Sequence, residues 1–172
     1  MSTTRIREAL AKVAEVVVHD PGKARVKNAP ATALLERGLR CRVTGPAGEL
    51  IHTDMPARMG GEASAPNPAW FMRAALASCN ATAIAMRAAR LGIELTELEV
   101  SVSSETDTRG VLGLDPDVSA AMRPLHVHVR IGAAGASAEQ LEQLVEWTSS
   151  HSPVGCTDPS TAVVDMQVVT AA

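Results

Sequence analysis

A single cysteine near the middle of the chain, Cys79, is the first candidate for chemistry. It lies at the centre of an alanine-rich run without any charge, residues 74–86 (AALASCNATAIAM). Such a run forms a helix readily, and a helix with so little charge around its circumference is expected to be buried. Because the thiolate is the nucleophilic form of cysteine, a sheltered thiol on this helix could act as a nucleophile. The alternative is that Cys79 is only a small apolar residue of a packed core.

The two other cysteines, Cys41 and Cys156, lie far from Cys79 in the sequence. Three cysteines cannot all pair within one chain, and their spacing is not that of a metal site. This count favours free thiols in a reducing compartment. Residues 1–20 carry charges throughout and contain no apolar block of signal-peptide length, so a cytoplasmic location is expected. Cys41 is expected to be a packing residue of a strand.

Histidine provides two further candidates. His126 and His128 occupy alternate positions of a predicted strand and share a face, a spacing that can chelate a metal ion. No third ligand stands nearby, so a solvated or interface face is favoured and no metal site is predicted. His151 precedes Ser152, which raises the idea of a hydrolase pair. Adjacent loop residues point apart, and no serine lies in a nucleophile-elbow pattern. A Ser/His hydrolase is therefore not predicted.

Composition excludes several functional classes. The 172 residues are 46% hydrophobic but only 2% aromatic, with a formal net charge of −3 and both signs interspersed. This balance argues against a nucleic-acid or anionic-membrane surface, and the run around Cys79 is too short and too polar to span a bilayer. Gly60 and Gly61 lack the Gly-Lys-Ser/Thr continuation of a phosphate loop and predict a tight turn. No cofactor motif is present.

The order of predicted elements indicates an α+β fold with mostly antiparallel pairing, in which 1–172 form a single domain. Alternating segments around 45–48 (GPAG) predict a hairpin, and the apolar positions of 125–131 (LHVHVRI) predict a half-buried strand. Ser137 and Gln140 form a capping box at the start of a later helix. The predicted segments are an N-terminal helix (4–18), a β-rich lobe (23–58), a central helix (67–91) and a C-terminal αβ lobe (95–170).

The segment 60–100 (GGEASAPNPAWFMRAALASCNATAIAMRAARLGIELTELEV) resembles the centre of the OsmC/Ohr family. Later segments, LDPD before a strand and HSPVGCT after a helix, are also similar to that family. The resemblance implies antiparallel sheets around a long central helix and an intertwined homodimer with thiol sites near the subunit interface. It further implies thiol-dependent reduction of organic hydroperoxides, with regeneration by a dithiol such as a lipoylated protein.

Three positions of the family's peroxidase pattern can be matched, and Cys79 is the one that is intact. Ser152 stands where peroxidase members have a second cysteine, and Ala69 stands where they have a glutamate. The chain therefore resembles a branch with serine in place of the second cysteine. The resemblance places the family's catalytic arginine in the N-terminal strands, where Arg40 and Arg42 are the nearest candidates and both remain open.

Cys79 is therefore predicted to attack the hydroperoxide, and Cys156, in a predicted loop bracketed by prolines, is a candidate to resolve its sulfenic acid. The alternative for Cys156 is an incidental loop residue. Ser152, Trp70 and Phe71 are the predicted binding residues. A second hypothesis follows from Ser152 and Ala69: a non-catalytic OsmC-like domain that binds a small apolar ligand or has lost peroxidase activity.

Overall fold

The computed structural model describes residues 3–157 and 162–168, the second range by its backbone alone. These residues form an α+β fold with two three-stranded sheets and one long helix, as the sequence predicts. The chain packs as two compact units. Unit 1 comprises Met1–Glu15 and Arg73–Ala172, and unit 2 comprises Val16–Met72.

The elements follow the predicted order. The predicted helices 4–18 and 67–91 agree with the structure to within one residue at each end, and the strand predicted at 125–131 is longer by two residues in the structure. Two short helices, α3 and α5, were not predicted. The elements are α1 (Thr3–His19), β1 (Thr32–Arg37), β2 (Arg40–Thr44), β3 (Leu50–Thr53), α2 (Pro68–Leu91), β4 (Leu95–Ser104), α3 (Thr108–Val111), β5 (Leu125–Ala133), α4 (Ala138–Ser149), α5 (Pro153–Thr157) and β6 (Ala162–Val168).

Unit 2 is built on the antiparallel sheet β1-β2-β3. The predicted hairpin joins β2 to β3, where the Gly45 amide donates to the Glu49 carbonyl at 3.0 Å. The predicted tight turn is also confirmed: Gly60 has a φ of 87°, a conformation that glycine adopts without strain. A Cβ at Gly61 would collide with the Met55 carbonyl oxygen. Both glycines are therefore explained by backbone geometry.

Unit 1 contains the second sheet, ordered β4-β5-β6. Strands β4 and β5 are antiparallel, with Val100 opposite Val129 and Val102 opposite Val127, whereas β5 and β6 are parallel. Parallel neighbours need a crossover connection, and helices α4 and α5 lie in that connection. The capping box of Ser137 and Gln140 begins α4 as predicted.

The apolar core of unit 1 lies where this sheet meets helices α2 and α4. The inward positions of β5 are buried as their alternation predicts, whereas His126 between them is exposed. Burying such side chains is worth about 1.5–3 kcal/mol each. The largest apolar side chains that are fully buried are Ile84, Ile131, Leu141, Leu144, Val127 and Val129.

The two longest helices are less buried than expected. Helix α2 buries only one face, through Leu76, Ile84 and four smaller residues, while Thr82 and Met86 are exposed. The expectation of burial around its whole circumference is therefore wrong for the single chain, because the other stripe lines an open cavity. Helix α1 forms as predicted but buries none of its residues. Among residues 3–157 and 162–168, no helix combines the length and hydropathy needed to cross a membrane.

Candidate functional site

The side chain of Cys79 meets the hydroxyl group of Ser152. Cys79 lies half-buried in the middle of α2, and Ser152 lies in the turn between α4 and α5. Ser152 Oγ donates a hydrogen bond to Cys79 Sγ at 3.2 Å. The Ser152 residue is only 1% exposed. The fold therefore brings together two predicted site residues that are 73 positions apart in the chain.

Backbone hydrogen bonds hold Ser152 in place. Its amide donates to the Thr148 carbonyl at 3.0 Å, and its carbonyl accepts from the Cys156 amide at 2.8 Å. The Gly155 amide donates to Ser152 Oγ at 3.2 Å. A serine hydroxyl has one proton and two lone pairs. Because Gly155 occupies a lone pair, the hydroxyl proton remains available for Cys79 Sγ.

Cys79 also lies on the wall of a cavity of about 510 Å³. All of its lining residues belong to unit 1, and most of them are apolar. None of the three predicted binding residues is among them. Ser152 contacts the lining residue Cys79, whereas the rings of Trp70 and Phe71 contact each other edge to face with centroids 5.1 Å apart. The lining residues are Ala75, Ser78, Cys79, Thr82, Ala83, Met86, Trp147, His151, Pro153 and Val154.

One side of this cavity is formed by an aromatic stack. The rings of Trp147 and His151 are nearly parallel, at 11°, with their centroids 3.8 Å apart. His151 Nδ1 lies 2.7 Å from the Trp147 carbonyl oxygen and 3.0 Å from Ser150 Oγ. The guanidinium carbon of Arg87 lies 5.0 Å from the centre of the Trp147 ring, within the range of a cation–π contact. These contacts restrain the His151 ring beside the cavity.

The other two cysteines have different surroundings. Cys156 is exposed on α5, where its Sγ donates a weak hydrogen bond to the Ser149 carbonyl at 3.7 Å. The prediction of a loop at this position is wrong, because Pro153 begins a short helix, a position that favours proline. Cys41 is half-buried on β2. All three cysteines are free thiols, as expected.

In unit 2, Arg40 and Arg42 share one carboxylate. Arg40 Nε lies 3.4 Å from one oxygen of Glu36, and Arg42 Nε lies 3.2 Å from the other. Arg40 Nη1 also donates to Ser64 Oγ at 2.7 Å. Glu36 therefore pairs with both arginines. Neither Glu36 nor Ser64 was predicted from the sequence.

Asp54 anchors the loop that carries Ser64. It is 2% exposed, and its carboxylate accepts from the backbone amides of Met55, Glu62 and Ser64 and from the Ser64 hydroxyl. The Ser64 amide and then its hydroxyl are the main causes that lower the Asp54 pKa below its ordinary value of 3.8. Asp54 thereby positions the serine that contacts Arg40. It was also missed, although an acidic residue before a Pro- and Gly-rich loop was a visible signal.

Comparisons with known proteins agree with this fold. A family model described as OsmC-like protein matches residues 61–164. An OsmC-like protein from Mycoplasma pneumoniae has a similar structure, with a TM-score of 0.71 and 17% identity, covering 86% of this chain and 100% of that chain. A protein from Legionella pneumophila, named an organic hydroperoxide resistance protein OsmC, has a TM-score of 0.63 and 21% identity, covering 84% of this chain and 98% of that chain.

The organic hydroperoxide resistance protein OhrB of Bacillus subtilis is also similar, with a TM-score of 0.58 and 21% identity, covering 84% of this chain and 100% of that chain. At these identities the similarity establishes the fold. No curated protein matches the chain.

Proposed function

This chain belongs to the OsmC-like protein family, and we propose that it is a thiol-dependent reductase of organic hydroperoxides with Cys79 as its nucleophile. The observation that carries the proposal is the hydrogen bond from the buried Ser152 hydroxyl to Cys79 Sγ, on the wall of an apolar cavity. The names of the Legionella and Bacillus proteins support the same substrate class.

The reaction begins with the Cys79 thiolate. Its sulfur attacks the terminal oxygen of the hydroperoxide, so that a sulfur–oxygen bond forms while the oxygen–oxygen bond breaks. The products are a cysteine sulfenic acid and an alkoxide, which takes up a proton to become an alcohol. A hydrogen bond to the charged form of a group favours that form. The Ser152 hydroxyl therefore stabilises the thiolate, and the apolar cavity accommodates the organic group.

Regeneration requires a thiol other than position 152, because a serine hydroxyl cannot form a disulfide. Two thiols can reduce the sulfenic acid, releasing water and becoming a disulfide. An external dithiol would supply both. Alternatively, the Cys156 thiol would condense with the sulfenic acid to give a Cys79–Cys156 disulfide and water, provided that its α-carbon came within about 7 Å of that of Cys79. An external dithiol would then reduce this disulfide. The exposure of Cys156 supports a role in exchange with an external thiol.

We also propose that the protein is a cytoplasmic homodimer. Large apolar side chains on the strands and turns of unit 2 are exposed in the single chain, and a second copy would remove such residues from water. Light scattering tests the homodimer, and a protein that is entirely monomeric would contradict it. The exposed residues are Leu34, Leu35, Leu39, Leu50 and Ile51.

The resemblance assigns thiolate stabilisation to Arg40 or Arg42. Their shared contact with Glu36 shows that both guanidinium groups are held by a carboxylate. Separate Arg40→Met and Arg42→Met variants would identify the one that supports hydroperoxide reduction. Equal, wild-type rates in both variants would contradict a role for either.

The apolar cavity favours a second function, a domain that binds a small apolar ligand without catalysis. In that case Ser152 marks the loss of the second cysteine rather than a change of mechanism. Retention of an apolar hydroperoxide analogue, together with no turnover of any hydroperoxide, would support this second function. Turnover by the pure protein with a dithiol would reject it.

The deciding experiment is steady-state consumption of cumene hydroperoxide with a dithiol by the wild type and by Cys79→Ser. We expect turnover to disappear in Cys79→Ser and to persist in Cys41→Ser, a matched control for the loss of a half-buried thiol. An unchanged rate in Cys79→Ser would contradict the proposal. The Cys156→Ser variant shows in the same assay whether regeneration needs the second thiol.

A further inference from the structure

We propose that His151 is a catalytic residue that transfers a proton during this reaction. It accepts the proton of the Cys79 thiol and later donates it to the departing alkoxide oxygen. The inference rests on the proposed function, since it concerns the same site. It assigns chemistry to a histidine that the sequence analysis considered only as part of a hydrolase pair.

The contacts of His151 determine which ring nitrogen can do this. The Trp147 carbonyl oxygen can only accept a hydrogen bond, so the Nδ1 atom, 2.7 Å away, must be the donor. A neutral imidazole has one protonated nitrogen. Nε2 therefore carries the lone pair, and within residues 3–157 it makes no hydrogen bond of its own. This is the protonation state of a general base.

The position of the ring also fits the role. His151 and Cys79 line the same cavity, and the stack on Trp147 restrains the imidazole plane. Among the ten lining residues, only these two carry a thiol or an imidazole, the groups able to exchange a proton with the substrate. Ser78 and Thr82 contribute hydroxyl groups, which are much weaker acids than an imidazolium. Proton transfer to a leaving group in this cavity therefore falls to His151.

The proton balance closes without any other group. The Cys79 proton moves to Nε2 and leaves a thiolate and an imidazolium. The thiolate donates an electron pair to the terminal peroxide oxygen, which remains on sulfur with its own hydrogen as sulfenic acid. The electron pair of the broken oxygen–oxygen bond stays on the alkoxide. Nε2–H protonates that alkoxide, and the histidine returns to its neutral form.

A substrate whose leaving group needs no proton can distinguish proton transfer by His151 from a purely structural role of this residue. Cumene hydroperoxide releases a strongly basic alkoxide, whereas a peroxyacid releases a weakly basic carboxylate. The variant is His151→Asn, because its amide N–H can replace Nδ1–H toward the Trp147 carbonyl. The rate constant for oxidation of Cys79 is measured with both substrates. The fraction of thiolate affects both rates equally and cancels in their ratio.

We expect the ratio of the cumene hydroperoxide rate to the peroxyacid rate to fall about 100-fold in His151→Asn, the lower end of the range for general acid–base catalysis. The ratio stays at the wild-type value in His126→Asn, which changes an exposed histidine outside the cavity. A second variant, His151→Gln, should show the same fall. If the wild type reduces both substrates but the ratio is unchanged in the two His151 variants, the inference is overturned. A wild type that reduces neither would instead refute the proposed function.

Discussion

The two compact units of this chain bury very different kinds of side chain. All members of the apolar core, from Leu76 to Val145, belong to unit 1. Among the described residues of unit 2, the only buried ones are Thr53 and Asp54, and both are polar. Unit 1 is therefore held together by apolar packing, whereas the buried carboxylate of unit 2, Asp54, is held by hydrogen bonds.

This difference in packing explains which unit can hold reactive side chains in fixed positions. Reactive groups need supporting elements that hold them within fractions of an ångström. Cys79 lies on a helix packed against a dense core, and Ser152 is fixed by four backbone and side-chain hydrogen bonds. In unit 2 the arginines are held by partly exposed ion pairs, which contribute little to stability.

The largest expected effect concerns the core of unit 1. Leu141 is fully buried, with 0% exposure, whereas Val26 in unit 2 is 78% exposed. Leu141→Ala should lower the free energy of unfolding by about 2–5 kcal/mol, because it leaves a cavity. Val26→Ala should change it by less than about 0.5 kcal/mol. Urea denaturation of both variants measures the difference. Equal losses would show that Val26 is packed as tightly as Leu141.

A smaller effect is expected at the hydrogen bond to Cys79, the proposed nucleophile. Ser152→Ala removes the donor to Cys79 Sγ and should slow oxidation of Cys79 by roughly tenfold, since a hydrogen bond to a charged group is worth about 1.5–3 kcal/mol. Ser149→Ala is the matched control, because the Ser149 hydroxyl donates to the Glu146 carbonyl rather than to Cys79. Stopped-flow oxidation with cumene hydroperoxide measures both rates. A rate unaffected by Ser152→Ala would show that the thiolate does not depend on this hydroxyl.

The complementary substitution, Ser152→Cys, is expected to introduce a disulfide with Cys79. Ser152→Cys would place a second sulfur where Oγ now lies 3.2 Å from Cys79 Sγ. We expect one equivalent of hydroperoxide to convert this variant to an internal disulfide, detected by mass spectrometry and reversed by a dithiol. The wild type should form no bond between these two positions. A variant that stays reduced, with Cys79 oxidised no further than sulfenic acid, would show that the two positions cannot approach.

The smallest effect is the pH dependence of unit 2. The folded Asp54 carboxyl has a pKa below its ordinary value of 3.8, chiefly because of the Ser64 amide and hydroxyl. Its contribution to stability is therefore fully present above about pH 4 and is lost as the pH falls through the folded pKa. Thermal unfolding should show a weaker acid dependence in Asp54→Asn than in the wild type. Identical acid profiles would contradict this role of Asp54.

Local patterns in the sequence were sufficient for much of unit 1. The alternation of 125–131 predicted which residues of β5 are buried, and the capping box at Ser137 predicted the start of α4. Both features depend on neighbours within a few residues. The helix that carries Cys79 was predicted for the same reason, although its exposed stripe was not. Burial of that stripe depends on what covers it rather than on its composition.

These local patterns could not predict contacts between distant segments. Ser152 was identified by its resemblance to a family position, but its hydrogen bond to Cys79 depends on how α4 and α5 turn back toward α2. Glu36 was missed because the pairing of β1 with β2 shifts register between Leu35 and Arg37. Such an irregularity changes which face of the sheet a side chain occupies. No local residue pattern predicts the irregularity here.

The most direct test is to identify the cysteine that one equivalent of cumene hydroperoxide oxidises. Peptide mass spectrometry after brief exposure should find the added oxygen, or a mixed disulfide with an added thiol, on Cys79 before Cys41 or Cys156. The Cys79→Ser variant should leave the hydroperoxide unconsumed. Consumption of the hydroperoxide while Cys79 stays reduced would contradict the assignment of Cys79 as the nucleophile.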